Sequence, residues 1–543
     1  MSFVPPAISS EIGKRAYKLM LELVAIPSVT GSDGGEDACA GFIFDWLSRL
    51  EYFRRNPGDL YFIGLKNDPL GRHSVAALLR APRPSKKTVI FMGHCDVVDV
   101  DVCGSLREWA FDPHEYTARV GKLNLADDVR ADLESGNYVF GRGVSDMKTA
   151  IALGMCFLED YSAQKDEAEE RDFNVLLLVV PDEEGDSVGM RGSVSFLAEL
   201  KEREGLDFPV CICAEPAFEF GLPAVYFGTI GKIMPLYLCV GRESHAGTYY
   251  DGLNSTLVAS YLNISLDGGG DTIETFGRQT FQPQCCLRMR DTRGRYAVTL
   301  PERSVLYYNC LTVEKTPAVI MEEMRTKAMS ALKAALSHVG REDWEPRVLT
   351  VKDVIDKAYG AVGEDLFSGL PKPEMDERER NIEFLSRALD IAGEKGPLVV
   401  IGFVPPFYPS RVNRDETARE QAVRRAASIV GRELKNRGFD FREVEIFQGI
   451  TDLSFMGFQG EAAELASLAA FTQNVPLWGR GYDLPMEDLR KLDIPSVVFG
   501  PIGKDAHKIT ERVELDYSFN VLPFVLKDFV AEVLSHSSDE RKS

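Results

Sequence analysis

The chain has 543 residues, 45% apolar and 27% charged, the make-up of a soluble globular protein with room for two or more domains. Its 62 Lys and Arg face 83 Asp and Glu, a formal charge of −21. Non-specific nucleic-acid binders and membrane-surface proteins lean basic, so neither partner is expected.

The first twenty residues lack the basic head and continuous apolar run of a secretory signal. No apolar stretch is long enough to span a bilayer, so a cytoplasmic protein is expected. Ten cysteines are dilute in this length, and several sit in apolar runs such as Val210-Cys211-Ile212-Cys213, which reads as reduced, buried thiols. The vicinal Cys285-Cys286 has no second pair at finger-like spacing, so a thiolate zinc site is not expected.

Apolar spacing predicts helices over 12–23 and 38–50. Short apolar runs bounded by polar turns follow at 75–79, 88–92, 175–180 and 210–213, with helical candidates at 149–161 and 193–201. Such runs suit buried strands covered on both faces, and their alternation with helices argues for a mixed, mostly parallel α/β sheet flanked by helices. Near Gly231 the pattern becomes strand 233–240, helix 253–266, strand 304–312 and a long amphipathic helix 318–338, close to a β-α-β-β-α-β rhythm. After about Val351 the first rhythm returns, with strands at 397–404, 444–447 and 496–499 and helices at 417–437 and 521–534. We therefore expect a small α+β domain, 230–352, inserted into a larger one made of 1–229 and 353–543. Charged segments at 164–171 and 374–380 read as solvated loops or helix ends, and the tail 536–543 as frayed.

Five places carry chemistry. His94, in Met92-Gly93-His94-Cys95-Asp96, follows an apolar strand, and in open α/β sheets ligands gather at strand carboxyl ends. On extended chain His94 and Asp96 face one side, so Asp96 can orient an imidazole that binds metal; an ordinary strand-end histidine is the plainer reading. Gly141-Arg142-Gly143-Val144-Ser145-Asp146-Met147-Lys148 is a Gly-rich turn before a helix. It lacks the third glycine and the Gly-Lys-Ser/Thr ending of phosphate loops, and Asp146 alone reads equally as a helix cap.

In Pro181-Asp182-Glu183-Glu184 three acids at a strand end repel one another unless a cation joins them or they splay into water. Glu215 ends another apolar run, and His507 follows the run 497–500; singly they are a capping acid and a loop histidine. Together, two histidines and three carboxylates, one of them bridging, suit a dinuclear zinc centre, with Co²⁺ or Mn²⁺ as substitutes. Of the adjacent Glu183 and Glu184, one can serve as ligand and the other as proton carrier.

In order and spacing these motifs resemble the M20 family of metallopeptidases and amidohydrolases, and the resemblance covers most of the chain. It implies Asp146 as bridging ligand with a cis peptide after it, Glu183 as general base, Glu184 and His507 on one zinc, and Glu215 and His94 on the other. Asp96 would orient His94. Gly241-Arg242-Glu243-Ser244-His245-Ala246-Gly247 resembles the start of the family's inserted lid. There His245 would help hold the scissile carbonyl oxygen, in family homodimers at the partner subunit's site.

Pro301-Glu302-Arg303 and Asp452 also match family segments. The sequence departs from the family at Thr149, where many relatives have Gly, and at Tyr307-Tyr308-Asn309-Cys310-Leu311-Thr312. This last segment has no Arg where relatives grip a substrate carboxylate. Extra sequence near 102–137 and 359–395, with Pro405-Pro406-Phe407-Tyr408-Pro409, resembles the RocB-like branch associated with arginine utilisation. The expected activity is hydrolysis of a small N-acyl amino acid or short peptide. Competing readings are a di- or aminopeptidase of the same fold and a non-catalytic M20-like scaffold.

Overall fold

The computed structural model describes residues 5–66, 68–163, 171–217, 220–372, 375–458 and 462–536. The chain forms two compact units: residues 1–229, 411–458 and 485–543, and residues 230–410 with 459–484.

In the first unit an eight-stranded sheet runs in the order Leu60–Gly64, His73–Leu79, Asn174–Val180, Thr88–His94, Cys211–Cys213, Ser496–Val498, Ala224–Tyr226, Arg442–Val444. Its four central strands, Asn174–Val180 to Ser496–Val498, are parallel, and antiparallel strands flank them. Every residue of Thr88–His94 and Asn174–Val180 is buried, as expected of strands covered on both faces. Along His73–Leu79, Val75, Ala77 and Leu79 enter a core with helices Glu11–Val24, Gly35–Ser48, Lys148–Ala163 and Leu522–His536. Ser74, on the other face, accepts from Ser193 at 3.0 Å, on helix Val188–Glu204. This is the mixed α/β architecture expected.

The second unit carries a six-stranded sheet whose main path is Cys285–Asp291, Arg303–Thr312, Pro235–Val240, Leu398–Phe403, Arg347–Thr350. The insert reaches well beyond the expected 352. Leu398–Phe403, read as a strand of the larger domain, pairs instead with Pro235–Val240 along its whole length. Helix Val351–Val362, which starts at the expected boundary, and helix Glu377–Ala392, beyond it, share a core with that strand through Val354, Leu385 and Val400. The apolar run 397–404 was legible as a strand, but Pro235–Val240, which it pairs with, lies more than 150 positions upstream.

One smaller reading changes. Arg171, expected in a solvated loop, is 6% exposed and donates to the carbonyls of Leu79, Arg80 and Phe173. Residues 164–170, 373–374 and 537–543 lie outside the described residues. All ten cysteines are free and eight are buried, Cys285 and Cys286 being the exceptions. No helix among the described residues is long and apolar enough to cross a membrane.

Candidate metal centre

The parallel strands deliver the expected side chains to one edge of the sheet. His94 is the last residue of Thr88–His94; Glu183 and Glu184 follow Asn174–Val180, and Glu215 follows Cys211–Cys213. The other two come from a three-stranded sheet in which Arg512–Glu514 pairs with both Gly503–Lys504 and Tyr138–Phe140. One strand of this sheet leads directly into the turn carrying Asp146, and the hairpin between the other two carries His507.

Asp146 lies between the histidines: its Oδ1 is 3.1 Å from His94 Nε2 and its Oδ2 is 3.2 Å from His507 Nε2. Glu215 approaches His94 Nε2 at 3.5 Å, and Glu184 approaches His507 Nε2 at 2.8 Å. Glu183 stands farther back, 4.0 Å from His94 Nε2. In each of three overlapping groups, ligand atoms lie within 4.8 Å of one another: His94, Asp146 and Glu215; Asp146, Glu184 and His507; His94, Glu183 and Glu184. Two imidazoles and several carboxylates at this spacing are a nitrogen–oxygen donor set that fits zinc and its near neighbours. The peptide between Asp146 and Met147 is cis.

Asp96 is fully buried and orients more than the sequence suggested. Its Oδ1 accepts from the Glu183 N–H and its Oδ2 from the Glu184 N–H, both at 3.1 Å, and Oδ2 also accepts from Thr30 Oγ1 at 2.8 Å. The His94 ring is nearer the Asp96 backbone carbonyl (3.0 Å from Nδ1) than its carboxylate (3.5 Å). One residue thus fixes both the ring and the acidic turn.

The turn is anchored from behind by Asp182, which accepts from Arg72 Nη1 at 2.7 Å and caps Val188 N at 3.0 Å. Buried Glu511 accepts from the Gly143, Ser145 and Asp146 amides and pairs with Arg142, whose Nη2 also reaches the His507 carbonyl at 3.2 Å. Thr30 and Arg72 gave no signal in these roles, because Asp96 and Asp182 are distant from them in sequence. Glu511, four residues after His507, was the one discoverable addition.

Burial pushes Glu215 up to about 7, with Asp146 adding to the effect, and lifts Asp452 to about 7. Burial also drives Glu183 well above the usual carboxylate range. Hydrogen bonds to Asp146 and Glu184 raise His507 to about 10. Several buried carboxyls crowded around two imidazoles raise one another's proton affinity, and a divalent cation among them would relieve that repulsion.

His245 is not among these side chains. It lies exposed in the second unit, where its Nδ1 accepts from Gly247 N at 3.0 Å and caps the turn Ala246–Asp251.

The profile of peptidase family M20/M25/M40 matches residues 90–470, a span holding His94, Asp96, Asp146, Glu183, Glu184 and Glu215 but not His507. The chain is 31% identical to the uncharacterized protein YqjN of Bacillus subtilis (strain 168), over 96% of each chain. It is 28% identical to protein RocB of the same organism, over 96% of this chain and 95% of that one. The M20 family metallo-carboxypeptidase Sso-CP2 from Sulfolobus solfataricus shares the fold, with a TM-score of 0.53 at 13% identity, covering 97% of this chain and all of that one. A family profile spans most of the chain, and the chain belongs to peptidase family M20/M25/M40, hydrolases of amide bonds.

Proposed function

We propose that this chain is a dinuclear metal-dependent amidohydrolase that removes the acyl group from a small N-acyl amino acid or cleaves a short peptide. The observation that supports it most directly is Asp146, with one carboxylate oxygen toward each histidine. In this reading His94, Asp146 and Glu215 would hold one ion, and His507, Asp146 and Glu184 would hold the other, zinc being the first choice for such donors. When bound, the two ions polarise the amide carbonyl and a water molecule and stabilise developing oxyanion charge.

Glu183 carries the proton. It is buried, stands outside the nearest ligand distances, and has a carboxyl whose affinity for protons is raised by its surroundings. It takes a proton from the attacking water and returns one to the leaving nitrogen. Asp96 holds the His94 ring and, through two backbone amides, the aim of Glu183 and Glu184. His245 would meet the scissile carbonyl oxygen from the second unit, in a homodimer at the partner subunit's site. A strictly monomeric protein in sedimentation with full activity would remove that trans role.

Glu183→Gln tests the assignment. Turnover should fall by about 10²–10⁴-fold, the range for losing a general base, while both ions stay bound; near-native turnover would eliminate Glu183 as base. Similarity to RocB over nearly the whole chain supports arginine-related amides as first substrates. A hydrolysis screen of N-acyl amino acids, arginine- and ornithine-related amides and dipeptides separates the deacylase from the di- or aminopeptidase, which would require a free amino terminus.

A further inference from the structure

The loop carrying His507, residues 505–511, joins the short strands Gly503–Lys504 and Arg512–Glu514. Asp505 and His507 both have left-handed backbones, with φ of 56° and 68°. That conformation is unfavourable for an L-residue, and it persists only where the surroundings over-determine it. The surroundings here include two helices, Pro113–Val120 and Asp127–Ser135, from the stretch noted above as extra sequence.

Tyr116 Oη donates to the Ile509 carbonyl at 2.7 Å. Asp132 Oδ2 accepts from Lys504 Nζ and from Arg512 Nε, each at 2.8 Å, so one carboxylate ties together the two strands at the base of the loop. Arg512 extends the grip inward, donating through Nη1 to the Asp505 carboxylate and, at 3.0 Å, to the Thr510 carbonyl. Asp505 then accepts from Thr510 Oγ1 at 2.8 Å and Lys508 Nζ at 2.9 Å. The two helices have an apolar core of their own, with Val100, Leu106, Tyr116, Val120, Val129 and Phe140. Phe140 belongs to the strand that leads to Asp146, so the same body touches both sides of the proposed second ion site.

We infer that these helices are a brace that sets the position of His507, with Tyr116 and Asp132 as positioning residues acting through the loop backbone and Arg512. The inference rests on the reading of His507 as a metal ligand. Full-length Tyr116→Phe, Asp132→Ala, Asp132→Glu, Arg119→Ala and His507→Ala proteins are titrated with zinc against a chromophoric chelator, and their thermal unfolding is recorded. Tyr116→Phe removes one hydroxyl and keeps the packing. Arg119, on the same helix, pairs with Glu115 and stacks over Trp109 without reaching the loop.

Tyr116→Phe and Asp132→Ala should each weaken the ion that His507→Ala also weakens, by about 10–100-fold as for other groups that orient ligands. The other ion should be retained, Asp132→Glu should recover most of the affinity, and Arg119→Ala should change neither. If His507→Ala weakens one ion while Tyr116→Phe and Asp132→Ala bind both like the parent, the brace is overturned and the ligand reading stands. Equal weakening by Arg119→Ala would also overturn it, reducing the effect to general loosening. If His507→Ala leaves both affinities intact, the ligand reading itself falls, and the brace with it.

Discussion

Asp146 and Asp96 divide the work of the centre at the scale of single residues. Asp146 turns one oxygen toward each histidine, and replacing it with an amide removes the charge and one of the two acceptor oxygens. Asp146→Asn should therefore weaken both ions together, where a ligand to one ion alone would weaken one. Zinc stoichiometry of the purified variant checks this, and two tightly held ions would count against a bridging role. Asp96→Ala frees the Glu183 and Glu184 amides and Thr30 at once. The expected loss is about 10–100-fold in metal affinity or activity, seen in the same titration. The pairing of His94 with Asp96 was readable from two-residue spacing. Thr30 was not, because nothing local marks a threonine whose partner is 66 positions away.

Short elements with demanding backbones aim these residues. Gly143 has φ of 79°, its amide donates to Glu511 at 2.8 Å, and a Cβ there would stand 2.8 Å from a Val97 methyl. Gly143→Ala should destabilise the fold by at least the ~1–2 kcal/mol of a left-handed L-residue and displace the Asp146 turn. Urea denaturation and zinc titration together measure both effects, and an unchanged midpoint with unchanged affinity would refute the argument. Helix Ala418–Asn436 shows the opposite case, an element legible from local chemistry alone. Thr417 accepts from the Glu420 amide while the Glu420 carboxylate accepts from the Thr417 amide, a reciprocal cap written in the sequence as Thr-x-x-Glu. Thr417→Ala should cost about 1 kcal/mol, read as a lower urea midpoint with zinc binding unaltered.

For the molecule as a whole, a pocket crowded with carboxylates should make stability depend on bound cations. A divalent ion at a free concentration one hundred times its Kd adds about 2.7 kcal/mol to the folded state. Stripping ions with a chelator should therefore lower the unfolding temperature, and adding zinc back should restore it; a midpoint indifferent to both would mean that the folded pocket holds no ion. The sequence alone determined which residues end the buried strands and which acids and histidines stand there, since strand period, burial and residue type are written locally. It also carried the family motifs, and hence the α/β fold and the amide-hydrolase chemistry. Tertiary structure alone decided how far the insert extends, because Leu398–Phe403 has no local feature that names Pro235–Val240 as its neighbour. It decided the brace on the His507 loop for the same reason. Tyr116 and Asp132 resemble any tyrosine and aspartate on a helix until folding places them against residues more than 370 positions away.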